Sequence, residues 1–437
     1  MVSGSDSTVL DVALFDDPER QRQYVSGWKF STENLVLAGM PGSGTSSTLV
    51  ALALRIADTY APGDADIVIL DVFTASLDRL KKLAHVRGYA GPGNTSESRQ
   101  LQKRVLRYIS AELERRSAHP HDSFAPLFVL IDGFATLREG YSDVDDMSLI
   151  ESFYQVWAKG PAMGIHCVAT TTRLKALPPA ISDLTGQKWL YQLADTSEYH
   201  PTVDKDNHPA NLPGRFVSTT RAHHGHVGLP DDIDAAVAAI NEFWGVDGLP
   251  PLVQEFPKRV GPEQLTNCFA SGNETWQIPV GINEADLNPY VLEAFAGEHV
   301  LVSGPVRSGK STMLAAIHQM LVQESPNTKI LVGAPRRSPL HQMLPGVMCP
   351  EQLVDVVETQ SAAPEPCIVL IDDAHLVADD SQVLARVLAL PDSPLLFIVA
   401  GRNNDLRTLY SHWTGQIRKS RLGVLLVPDA DYDGDLL

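Results

Sequence analysis

The residues best equipped for chemistry form one run, Gly304-Pro305-Val306-Arg307-Ser308-Gly309-Lys310-Ser311, followed by Thr312. It has the form GxxxxGK[ST], a phosphate loop. Its glycines let the backbone curl until successive N–H groups face phosphate oxygens. Lys310 adds a point charge within reach of β- and γ-phosphates, and the Ser311 hydroxyl suits Mg2+. Gly304 through Thr312 is therefore the expected ATP-binding segment. The apolar stretch 299–303 precedes it and 312–317 follows. That places the loop between a strand and a helix, as the chemistry requires.

A second run stands 265 residues earlier, Gly39-Met40-Pro41-Gly42-Ser43-Gly44-Thr45-Ser46. Spacing and flanks agree, so Gly39, Gly42, Gly44, Thr45 and Ser46 are the corresponding candidates. The lysine position holds Thr45. A neutral hydroxyl supplies no charge against phosphate, so this copy is expected to bind nucleotide weakly or not at all. Each copy also carries an apolar strand ending in an acid: 127–132, ending at Asp132, and 367–372, ending at Asp372. An acid there suits Mg2+, which makes Ser311 and Asp372 the expected metal ligands. The next residue often is a glutamate that polarises the attacking water. Here it is Gly133, which has no side chain to act, and Asp373, one methylene shorter. Asp373 and Lys310 are the catalytic candidates, and slow or partner-dependent hydrolysis is the expectation.

Positioning these groups takes strands and helices in alternation. In the first copy 66–70 reads as a strand, 97–116 as a helix with Leu101, Val105, Tyr108, Ile109 and Leu113 along one side, and 165–170 as another strand. In the second, 329–332 and 395–400 repeat the plan. Apolar strands separated by helices imply mostly parallel sheets covered on both faces. Both loops then lie at the carboxyl ends of strands. The fold class is α/β, two tandem modules spanning residues 1–240 and 241–437.

The whole chain, 437 residues with 44% hydrophobic residues, has ordinary globular composition. It has no apolar run of about 18 residues, and residues 1–6 lack signal-peptide character. Cys167, Cys268, Cys349 and Cys367 form no close pair, which fits reduced thiols in the cytoplasm. A net charge of −18 disfavours a nucleic-acid partner. The cluster His223, His224, His226 has no acid or cysteine at ligand spacing, and a loop fits it better than a metal.

Further motifs fall in a consistent order. These are Phe15 to Gln23, Leu83-Ala84-His85-Val86, Ile131-Asp132-Gly133-Phe134 through Arg138, Gly164-Ile165-His166, and Pro213-Gly214-Arg215. In the second copy they are Asn404-Asp405-Leu406-Arg407, Trp413, Arg418, and Asp433 through Leu437. Together they resemble the FtsK/SpoIIIE ATPases, and specifically the second and third ATPase modules of the type VII secretion protein EccC. That resemblance implies RecA/FtsK-like P-loop modules with ATP and Mg2+ as cofactors. It also implies secreted WXG100/Esx-type protein substrates, a homo-oligomer, and a cytoplasmic place at the inner membrane beside membrane-bound secretion machinery. The family's first ATPase module and its transmembrane helices have no counterpart here, which implies a fragment or one subunit of a split assembly. The competing reading is a DNA translocase of the same superfamily. It would need strong hydrolytic sites and a basic surface. A third is a scaffold whose nucleotide is structural.

Overall fold

A computed structural model describes residues 8–437 except 94, 142–143, 201–202, 221, 247, 266–269, 272–274, 285, 364, 391–392 and 430–431. The chain divides into two compact units, Met1–Phe256 and Pro257–Leu437. The expected join lay earlier, near residue 240. The helix Ile233–Trp244 packs within the first unit, where the Trp244 indole donates to the Ala57 carbonyl at 2.8 Å.

The first unit is built on β1 (Val9–Asp17), β2 (Arg22–Lys29), β3 (Leu35–Ala38), β4 (Asp66–Asp71), β5 (Val86–Ala90), β6 (Leu127–Asp132), β7 (Ile165–Thr171), β8 (Gln187–Leu190), β9 (Arg215–Ser218) and β10 (His224–Val227). They form one sheet in the order β2-β1-β10-β9-β8-β3-β7-β6-β4-β5. From β8 to β5 every pairing is parallel. The strands β9, β10, β1 and β2 extend it antiparallel. This extension includes the histidine cluster, so His224 and His226 lie on a strand and not on a loop. His223 meets Tyr24 at 3.0 Å and His224 meets Asn207 at 2.7 Å.

The second unit holds β11 (Ala270–Ser271), β12 (Thr275–Ile282) and β13 (Pro289–Phe295) in an antiparallel sheet. Its main sheet comprises β14 (Val300–Ser303), β15 (Lys329–Gly333), β16 (Cys367–Ile371), β17 (Leu395–Gly401) and β18 (Gly423–Leu425), all parallel, in the order β15-β16-β17-β14-β18. The parallel core β4-β6-β7-β3-β8 of the first unit has the same order. In both, one strand separates the loop-bearing strand from the strand that ends in the acid.

Alternation along these buried strands aims the acids. On β6, Val129 and Ile131 face one core, while Phe128 and Leu130 face the other with Leu49, Leu52 and Ile56 of the helix Thr45–Thr59. Asp132 continues the Phe128–Leu130 face, so it points toward the helix that begins at the phosphate loop. On β16, Ile368 and Leu370 pack with Leu314, Ile317 and Leu321 of the helix Lys310–Glu324, and Asp372 follows on that face. Burying each such side chain contributes roughly 1.5–3 kcal/mol, so a one-residue slip of register is strongly disfavoured. The helix Ser96–Ala118 appears where expected. It is capped by the Thr95 hydroxyl accepting from the Ser98 N–H at 3.2 Å, and it buries Val105, Leu106, Ile109 and Leu113.

Candidate functional site

In the second unit the loop leaves β14 and enters its helix at Gly309, whose φ of 99° is left-handed and natural only for glycine. Lys310 is buried, and its ammonium donates to the carbonyls of Gly304 at 2.9 Å and Pro305 at 2.6 Å. Burial lowers its pKa below the ordinary lysine value, while Asp373 and Asp372 oppose that shift. Ser311 Oγ donates to Asp372 Oδ2 at 2.7 Å, and Ser338 Oγ donates to the same oxygen. Asp372 Oδ1 is buried and meets no donor among the described residues. A hydroxyl and a carboxylate side by side, with one carboxylate oxygen free, fit Mg2+ held by Ser311 and Asp372. Held there, the cation would supply positive charge against phosphate. Asp373 sits at φ 44°, its acid held above the ordinary aspartate value by burial and by Asp372. A cleft of about 630 Å³ beside Pro305 and Val306 is walled by Arg402, Asn403, Asp429 and Tyr432.

The first unit repeats the frame with different contents. Gly44 has φ 101°, and a side chain there would meet the Gly214 nitrogen at 2.4 Å. The Pro213-Gly214-Arg215 element thus packs on the loop, and the Gly214 N–H donates to the Ser43 carbonyl at 2.8 Å. Asp132 is saturated. It accepts from Ser46 Oγ at 3.0 Å on each oxygen, from Ser76 Oγ at 2.9 Å and from Thr170 Oγ1 at 2.7 Å. Asp71 stands beside it in register on β4, fully buried, accepting from Tyr89 OH at 3.0 Å and the Leu77 N–H at 2.8 Å. Burial raises its pKa above the ordinary aspartate value. Gly39, Gly42, Gly44, Thr45 and Ser46 line a cleft of about 250 Å³ that has hydroxyls and Asp132 but no basic side chain on its walls.

Sequence reading brought together Lys310, Ser311 and Asp372, and in parallel Ser46 and Asp132. It missed Ser76 and Ser338, although each copy carries a serine in the loop after its second strand. It also missed Asp71, Thr170 and Asn403, which lie at or just past strand ends. Arg418 donates to the Asp435 carbonyl at 3.2 Å and Arg173 lies 3.6 Å from Glu198, so both are engaged locally. Cys167, Cys349 and Cys367 are free thiols. Cys268 and residues 1–6 lie outside the described residues. Among the described residues no helix is long and apolar enough to cross a membrane.

Sheet order, glycine loops and facing acids define two tandem P-loop NTPase modules. Comparison with known proteins narrows the class. Residues 4–120 match the FtsK/SpoIIIE family. The ESX secretion system protein EccC of Thermomonospora curvata is 28% identical over 350 residues, which is 71% of this chain and 25% of that protein. The ESX-1 secretion system protein EccCb1 of Mycobacterium tuberculosis is 25% identical over 375 residues, 76% of this chain and 62% of that protein. The chain thus spans under two thirds of these relatives. In solved structures, the cytoplasmic domain of the type VII secretion ATPase EccC of T. curvata matches 99% of this chain and 57% of its own, with a TM-score of 0.73 and 24% identity. ATPases 2 and 3 of the same protein, in complex with a signal sequence peptide, match 97% of this chain and 87% of theirs, with a TM-score of 0.70 and 23% identity. The resemblance to FtsK/SpoIIIE-type ATPases, and to the EccC proteins among them, therefore holds in both sequence and fold.

Proposed function

We propose that the chain is the ATP-binding, substrate-recognising part of a type VII secretion motor, regulatory in character and weak in hydrolysis. The observation that carries the reading is the meeting of Lys310, Ser311 and Asp372 at one loop, set against a first loop with no cation. The second unit then holds ATP–Mg2+, and the first holds it weakly or not at all. Asp373 is a short base, and burial, then Asp372, hold its acid above the ordinary aspartate value. A neighbour's arginine must complete such a site, and that contribution is worth about a thousandfold or more in rate. The substrate is a secreted WXG100/Esx-type protein, taken by a signal segment as in the peptide complex of the T. curvata relative. The chain works at the cytoplasmic face of a membrane complex whose other parts it meets as partners. The net charge of −18 weighs against the DNA translocase.

The deciding experiment titrates the full chain with a secreted substrate's tail peptide and with duplex DNA at two salt concentrations. Peptide binding that changes little with salt is expected, because apolar burial drives it. Micromolar, salt-sensitive DNA binding without peptide binding would favour the translocase.

A further inference from the structure

The segment around Asp433 is bonded to the phosphate loop of the second unit through two intermediates. Asp433 Oδ2 accepts from Asn403 Nδ2 at 2.7 Å and from the Asp429 N–H at 2.8 Å. Its other oxygen accepts from Arg407 Nη2 at 2.8 Å. Asn403 Oδ1 in turn accepts from Ser303 Oγ at 2.5 Å. Ser303 is the last residue of β14, immediately before Gly304. All three side chains of this path are buried.

Their polarity is fixed by chemistry. An ionised carboxylate only accepts, so the Asn403 amide must turn its nitrogen to Asp433 and its oxygen to Ser303. The Ser303 hydroxyl then has no choice but to donate. The backbone N–H of Asp429, with Arg407 and Asn403, holds the Asp433 carboxyl below the ordinary aspartate range, which keeps it an acceptor at neutral pH. The Ser303 carbonyl is also taken, by the Leu426 N–H at 2.8 Å. The residue that launches the loop is thereby fixed on two sides, next to the Gly304 and Pro305 carbonyls that hold Lys310.

We propose that Asp433 is a positioning residue for the phosphate loop of the second unit, acting through Asn403 and Ser303, so that docking of residues 432–437 and occupancy of the loop favour one another. The inference rests on the reading that this loop takes nucleotide. The first unit has no such path, since Ala38 stands where Ser303 does and offers no hydroxyl.

The test uses the full chain, a fluorescent ATP analogue with Mg2+, and the variants Ser303→Ala, Asp433→Ala, their double, and Lys310→Ala to mark second-unit binding. Ser303→Ala removes one oxygen from a buried site, so it keeps the fold if Asp433→Ala does not. Each single variant is expected to weaken second-unit binding about five- to twentyfold, within the usual range of coupling between sites. The double should be no weaker than Asp433→Ala, because both act on one path. By reciprocity, Mg–ATP should slow amide exchange in 432–437 of the parent and fail to do so in Ser303→Ala. Binding lost in Lys310→Ala but unchanged in Ser303→Ala would overturn the path alone, as would additive losses in the double. Binding that survives Lys310→Ala would overturn the nucleotide reading and the inference with it.

Discussion

The two phosphate sites share strand order, loop spacing and acid, yet they balance charge in opposite ways. The second unit brings a buried cation to its loop and leaves one oxygen of Asp372 free. The first has no basic side chain among the described residues that line its cleft, places two buried carboxylates side by side, and saturates Asp132 with the hydroxyls of Ser46, Ser76 and Thr170. The strand between loop and acid also serves differently. In the first unit its end supplies Thr170, which bonds the acid. In the second, the residues just beyond it supply Asn403, which bonds the loop strand and Asp433. The two sites thus keep one frame while their polar groups are arranged differently within it.

The sharpest way to break this contrast is to remove the side chain that defines it. Lys310→Ala should weaken ATP-analogue binding by the second unit about 30- to 100-fold, the equivalent of about 2–3 kcal/mol for hydrogen bonds to a charged group. Thr45→Ala should change binding by the first unit less than about twofold, since a neutral hydroxyl forms no charged bond. Equilibrium titration of both variants gives the ratio. Comparable losses at the two loops would mean that Thr45 grips ligand and that the contrast is false.

Much of this was legible in the sequence, and the boundary is physical. Strands such as 127–131 and 367–371 are apolar throughout because both faces are buried, and a loop with fixed glycine spacing announces its own geometry. Asp132 and Asp372 could be read because each ends such a strand. Ser76 and Ser338 could not, because a serine in a loop gives no periodic signal and its value depends on which strand end it folds against. The antiparallel extension by β9, β10, β1 and β2 was also missed, since it joins residues at opposite ends of the first unit. The glutamate missing at Gly133 has a structural reason that sequence could not supply. Its φ is 90°, and a side chain there would meet Phe73 Cβ at 2.7 Å.

A second effect should appear in stability. Asp132→Ala removes the buried acceptor of four bonds from three hydroxyls, Ser46, Ser76 and Thr170, and should cost the first unit about 2–3 kcal/mol even after the hydroxyls rotate. Among the described residues, Asp372→Ala removes an acceptor used by the side chains of Ser311 and Ser338, and should cost the second unit less, about 1–2 kcal/mol. Amide exchange along β6 and β16 reads each unit separately. Equal losses would show that the saturation of Asp132 carries no extra stability.

The smallest expected effect concerns Asp71, and its sign follows from linkage. Burial raises the folded-state pKa of Asp71, with the neighbouring Asp132 adding to the rise and Tyr89 and the Leu77 N–H opposing it. The folded chain therefore holds this proton more tightly than the unfolded chain does. The resulting stability is complete below the ordinary aspartate value and is lost as pH rises through the raised one. Near neutral pH the charged Asp71 burdens the first unit. Asp71→Asn keeps an oxygen that can accept from Tyr89 and Leu77 but carries no charge. It should raise first-unit stability near neutrality by less than about 1 kcal/mol, and the gain should vanish toward the acid range. His166, pushed down to about 4 by burial, destabilises the same unit as pH falls, but it does so equally in parent and variant. Only the difference between the two, followed by amide exchange along β4 as pH is lowered, isolates Asp71. A gain that grows as pH falls would reverse the assigned sign. It would mean that Asp71 draws net stabilisation from its charge, so that the first site is not the cation-poor counterpart of the second.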